Sequence, residues 1–133
     1  IKIGYLKKSE SNLASAKLLY ENERLEEAIS MTYYSMYNSL TALLFKIGIK
    51  CENHTASIKL LKDLFNINNE IIKEAKTERV DSQYYIDTEI KKSTVKSLIN
   101  NAEEFISTIE DFISRTNNED ISKYRKKIKE LLE

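Results

Sequence analysis

The sequence predicts an all-α protein, an antiparallel up-and-down bundle of four to six helices, and three observations carry that prediction. The chain has no proline and only two glycines in 133 residues, so the turn chemistry that β-hairpins and sandwiches depend on is missing. Apolar residues recur at three- and four-residue steps along most of the chain, which is the repeat of a helix face and not of a strand. Leu, Lys and Glu, all strong helix formers, are abundant.

Residues 3–20 read as the first helix, with Leu6, Leu13, Ala16 and Tyr20 on one side and lysines between them. The polar run ENER, residues 21–24, separates it from the second helix. That helix runs from about Leu25 to Ile47 along Ile29, Tyr33, Met36, Leu40 and Leu43, while Ala28, Met31, Ala42 and Phe45 widen its apolar surface beyond a single stripe. A helix of that kind is contacted on more than one side. Gly48 stops it as a C-terminal cap residue would.

Asn53 is placed to cap a third helix that puts His54, Ile58, Leu61 and Phe65 on one face. His54 therefore points toward the apolar side of its own helix. A fourth segment, NEIIKEAKTERVDSQYY, has weaker periodicity, with Asn68 or Asn69 as its cap, and YYIDTEIKKS reads as a loop. The strongest repeat follows Ser93: Val95, Leu98, Ile99, Ala102, Phe105, Ile106, Ile109, Phe112 and Ile113. After RTNNED, a last amphipathic helix carries Ile121, Tyr124, Ile128, Leu131 and Leu132 opposite Lys123, Arg125, Lys126, Lys127 and Lys129. The whole, residues 1–133, reads as one domain, with 120–133 as an appended C-terminal helix.

Composition narrows the function classes. Lys plus Arg and Asp plus Glu number 21 each, so no global field draws the chain to a polyanion and any such contact must be local. Cys51 is the single cysteine and cannot form an intramolecular disulfide; no run reaches the roughly 20 apolar residues of a membrane span. A cytoplasmic protein with no membrane contact is the default. The first residue is Ile1, so no targeting argument rests on that end.

One histidine and one cysteine cannot build a zinc or di-iron centre, and HExxH, GxGxxG and P-loop patterns are absent. No cofactor or metal is expected. A Cys51–His54 nucleophile pair lacks an orienting third group, so a loop cysteine describes Cys51 better. Tyr33, Tyr34 and Tyr37 are core and interface residues before they are ligand residues, and the C-terminal basic face is a solvated surface before it is an RNA contact. His54 has two readings of equal standing. It is either a hydrogen-bonded histidine at a helix start or the chain's general acid–base, since its pKa lies near neutrality.

The stretch YLKKSESNLASAKLLYENERLEEAISMTYYSMYNSLTALLFKIGIKCENHTASIKLL, followed by RVDSQYY and NNAEEFISTIEDFI, resembles the HEPN domain over roughly residues 5–113. The likeness is to small prokaryotic members associated with minimal nucleotidyltransferases. It implies a bundle that pairs into a homodimer, a toxin–antitoxin setting with a nucleotidyltransferase partner and, in active relatives, metal-independent RNA cleavage. The ribonuclease signature places an arginine four to six residues before the histidine; here that window holds only Lys50 as a cation. Met31 stands where such relatives carry an arginine before the tyrosine pair. Arg79 and Tyr84 match a downstream Arg-to-Tyr segment, while Ser82 and Gln83 replace its Ala-Asp.

The resemblance therefore implies two candidate catalytic residues, His54 and Arg79, with Lys50, Tyr34 and Tyr84 as binding residues. Because the arginine signature is absent, whether the chain is an enzyme stays open, and a degenerate-site module that binds the nucleotidyltransferase partner, RNA or a nucleotide is the favoured reading. The alternatives are a ribonuclease toxin using His54 and Arg79, and a plain helical oligomerisation domain. Tyr84 is also a candidate for nucleotide modification by the partner enzyme.

Overall fold

The computed structural model describes residues 2–84 and 89–132, and every regular element among them is a helix. In chain order these are α1 (Lys2–Glu21), α2 (Leu25–Ile47), α3 (His54–Asp63), α4 (Glu70–Tyr84), α5 (Lys92–Arg115) and α6 (Asn118–Leu132). They form an all-α antiparallel bundle built on α2, which touches each of the other five helices. Part of the expected 84–93 loop, residues 85–88, lies outside the described residues.

α2 is central because most of its faces are buried, apolar toward the core and polar where Ser35 and Asn38 meet α1. Its fully buried side chains include Ile29, Tyr33, Met36, Leu40, Leu43 and Ile47, at the spacing that gives one helix face, and Ala28, Ala42 and Leu44 bury the flanks. Gly48 ends it with φ 84°, the left-handed conformation that costs glycine nothing, and its N–H turns back to the carbonyls of Leu44 and Phe45.

α1 docks in a way its leucines did not announce. The buried positions on α1 are Ser9 and Ala16, while Leu6, Leu13 and Tyr20 are only half-buried and Leu18 is exposed. Small residues let the two backbones approach closely. Ser9 Oγ donates to the Ser35 carbonyl at 2.6 Å and Asn38 Nδ2 donates to Asn12 Oδ1 at 2.7 Å, so the polar atoms trapped between the helices are paired.

α3 begins as expected, with Asn53 Oδ1 accepting the Ala56 N–H at 2.9 Å. It ends two residues before Phe65, which is buried from the connecting segment and not from the helix face. Asn66 adopts φ 55° there, and the Asn66 N–H still closes on the Lys62 carbonyl. The two cap candidates for α4 divide the work: Asn68 Oδ1 accepts the Glu70 N–H, whereas buried Asn69 donates to the Ile58 carbonyl at 2.9 Å and ties α4 to α3.

α5 buries Val95, Leu98, Ile99, Ala102, Phe105, Ile106, Ile109 and Ile113, the stripe read from the sequence except for Phe112, which is half-buried. Asn117 and Asp120 then cap α6 reciprocally, each side chain accepting the other's backbone N–H. No residue of α6 is buried. Its Tyr124 ring lies 5.0 Å from Phe65 and 6.0 Å from Phe112, and Arg125 and Lys127 donate to the carbonyls of Ile47 and Leu64. Two members of the C-terminal basic face are therefore committed to carbonyls at the ends of other elements. Among the described residues no helix is long and apolar enough to cross a membrane.

Candidate functional site

Tyr33, Tyr34 and Tyr37 stand on the side of α2 that α3 and α4 cover. Tyr33 and Tyr37 are one helical turn apart, so they share a face, and their rings stack at 6.0 Å. The first turn of α3 lays His54 over this pair. Its imidazole is 3.7 Å from the Tyr37 ring and nearly parallel to it, at 15°. Its Nδ1 shares a 2.7 Å hydrogen bond with the Tyr33 hydroxyl. Tyr37 in turn donates to Ser57 Oγ at 3.3 Å, so both buried hydroxyls are satisfied.

α4 supplies the cations. The Arg79 guanidinium lies 5.1 Å from the Tyr34 ring centre and 5.6 Å from that of Tyr33. Its Nε is buried and has no hydrogen-bond partner among the described residues. Lys76, one turn before Arg79, donates to Thr55 Oγ1 at 2.7 Å, which sets its charge beside the start of α3. Burial first, then Lys76 and Arg79, hold the His54 imidazole below its ordinary range. Burial likewise pushes the Tyr33 and Tyr37 hydroxyls up.

At neutral pH the centre thus holds a neutral imidazole beside two fixed cations, with protonated tyrosines beneath. The direction of the Tyr33–His54 bond decides what His54 Nε2 offers. If Nδ1–H donates to the tyrosine oxygen, Nε2 presents a lone pair and can accept a proton; if the tyrosine donates, Nε2 carries the proton and can give it. Nε2 itself has no hydrogen-bond partner among the described residues. His54 also borders a groove of about 690 Å³ whose lining includes Tyr37, Asn38, Thr41 and Phe45 of α2 and Tyr5 of α1.

Of the residues singled out by sequence, His54, Arg79 and Tyr34 come together. Lys50 lies on the rim of the same groove, largely exposed and 3.8 Å from Glu52. Tyr84 is 73% exposed at the end of α4 and makes no contact with the tyrosine–histidine cluster. Met31, half-buried, receives the amide of Asn12, and Ser82 folds its hydroxyl back to the Arg79 carbonyl. Cys51 is spent on the Asn53 carbonyl. Sequence reasoning placed Tyr33 and Tyr37 in the core and passed over Lys76. Yet the i, i+3 spacing of Lys76 and Arg79 puts both cations on one face of α4.

The pattern of the HEPN domain matches residues 4–112. The chain belongs to the HEPN domain family. The match ends at Phe112, inside α5, so α6 lies beyond it. Among the proteins similar to this chain are two from Methanocaldococcus jannaschii, each carrying the name "Putative toxin". One is 29% identical over 80% of this chain and 79% of its own length, the other 28% identical over 84% and 81%. A protein named "UPF0332 protein" from Thermotoga maritima is 30% identical over 76% of this chain and 82% of its own.

Proposed function

We propose that this HEPN protein is of the toxin type and acts on RNA through His54, Arg79 and Lys76 without a metal. The observation that carries this reading is that His54 Nδ1 is held by Tyr33 while Nε2 has no hydrogen-bond partner among the described residues, and the charges of Lys76 and Arg79 act on the same imidazole. In the tautomer with Nδ1 protonated, Nε2 takes the proton of a ribose 2′-hydroxyl. The 2′-oxygen then attacks the adjacent phosphorus, and the P–O5′ bond breaks to leave a 2′,3′-cyclic phosphate and a 5′-hydroxyl, which takes back the proton held by the His54 imidazolium. Arg79 and Lys76 offset the charge that builds on the phosphoryl oxygens. The proposed setting is a homodimer held in check by a nucleotidyltransferase partner, with Lys50 as an accessory cation at the groove rim and exposed Tyr84 as a residue that such a partner can reach.

A second reading, binding without turnover, is favoured by one observation. The Arg79 guanidinium faces the rings of Tyr33 and Tyr34, and no arginine stands four to six residues before His54. The test is cleavage of total RNA by the purified protein in EDTA, comparing wild type with His54→Ala and Arg79→Gln. Metal-independent products with cyclic phosphate ends, reduced about a hundredfold or more in His54→Ala, are expected. Wild type and both variants equally inert, while folded, would move the chain to the binding reading.

A further inference from the structure

A second cavity opens between α3 and α4, beginning at Thr55 next to His54 in the chain, and its lining differs in kind from that of the aromatic groove. Lys59 and Lys62 stand one turn apart on α3, and Lys73 and Lys76 one turn apart on α4, around a cleft of about 540 Å³ floored by Ile58 and Asn69. Asp63 is the one carboxylate among the lining residues. The Lys59 and Lys62 side chains make no hydrogen bond or ion pair with any described residue, and the Lys73 ammonium has only the exposed Glu70 at 3.8 Å. In a chain of zero net charge, this is a concentration of cations that internal pairing does not account for.

We infer that the α3–α4 cleft binds the phosphodiester backbone of a single-stranded nucleic acid and leads that strand to His54. The inference rests on the proposed action on RNA and adds where the strand runs. Lysines are compact charges without a preferred in-plane geometry, which suits a run of phosphates read without regard to sequence. The i, i+3 spacing repeats a charge about every 5 Å along each wall, one helical turn, and so offers a ladder and not a single anion pocket. Lys76 closes the ladder at the His54 end, where its bond to Thr55 joins the cleft to the catalytic cluster.

The experiment is fluorescence anisotropy of a short labelled oligouridylate in EDTA, titrated with the full chain across a range of salt, in a His54→Ala background so that no cleavage intervenes. The double variant Lys59→Gln/Lys62→Gln is expected to bind about tenfold or more weakly. Its plot of log K against log salt should be shallower by roughly 1.4, two charges at about 0.7 each for a single strand. The double variant Lys123→Gln/Lys126→Gln on α6 is expected to stay within about twofold. All four lysines are exposed, and unchanged circular dichroism and melting will establish that both variants fold.

Equal loss in the two double variants, no loss in the cleft variant, or no binding of the oligonucleotide by the parent would overturn the inference. So would poly-glutamate displacing the probe as well as unlabelled RNA does, which would make the cleft an acidic-peptide site. The reaction fails separately: cleft-dependent binding with no cleavage by wild type upholds the cleft and sinks the ribonuclease. Cleavage by wild type with cleft-independent binding does the reverse.

Discussion

The α1–α2 hairpin and the α3–α4 arm are both helix pairs packed on the same bundle, and they are built to different standards. α2 buries fourteen of its residues, with small α1 side chains and paired polar atoms sealing the seam. α3 buries three residues and α4 two, and the two are linked by single side-chain bonds, Asn69 to Ile58 and Lys76 to Thr55, across an open cleft. His54, Lys76 and Arg79 come from the arm, and the tyrosine rings they lean on come from the hairpin. A lightly buried arm can expose cations to a ligand, while the tyrosines of a rigid helix hold the imidazole in one orientation.

The sharpest way to break this comparison is to remove a ring from the rigid side. Tyr33→Ala empties a fully buried aromatic site and is expected to cost about 3–5 kcal/mol in urea unfolding. Tyr33→Phe, which removes only the hydroxyl facing His54, should cost about 1 kcal/mol. A Tyr33→Ala cost near that of Tyr33→Phe would mean that α2 is not the rigid wall described.

A smaller effect tests the arm. Asn53→Ala removes the side-chain oxygen that caps α3 and is expected to cost about 1 kcal/mol, with faster amide exchange in α3 and unchanged exchange in α2. Equal acceleration in both helices would show that arm and hairpin open as one unit.

The smallest expected effect is in pH. Folding holds the His54 pKa below its unfolded value, so between the two values the unfolded chain binds more protons and stability falls as pH is lowered. The loss begins below about pH 6.5, the ordinary imidazole value. Melting temperature should therefore drop from pH 7 to pH 5 by more in wild type than in His54→Gln. An equal drop would mean that the histidine is not held neutral by burial and the α4 cations.

What could be read from the residues alone follows the range of the interactions. Gly48 and Asn53 were legible as caps because a cap acts within four residues of its own backbone. The α2 and α5 stripes were legible because a repeat of three and four is a property of the helix itself. Phe65 was read onto the third helix because its spacing suited that face, but Asn66 turns the chain and the helix stops at Asp63. The basic face of α6 could not disclose that Arg125 and Lys127 reach back to Ile47 and Leu64, carbonyls far away in sequence.

The sequence by itself determined an all-α HEPN bundle, its helix order and the chemical identity of its one histidine, since helix periodicity and capping are local. Only the tertiary structure decided that His54 rests on Tyr33 and Tyr37, and that Lys76 and Arg79 stand beside it. The physical reason is that these groups lie on three separate helices. Their meeting depends on how α3 and α4 lie against α2, which no local repeat encodes.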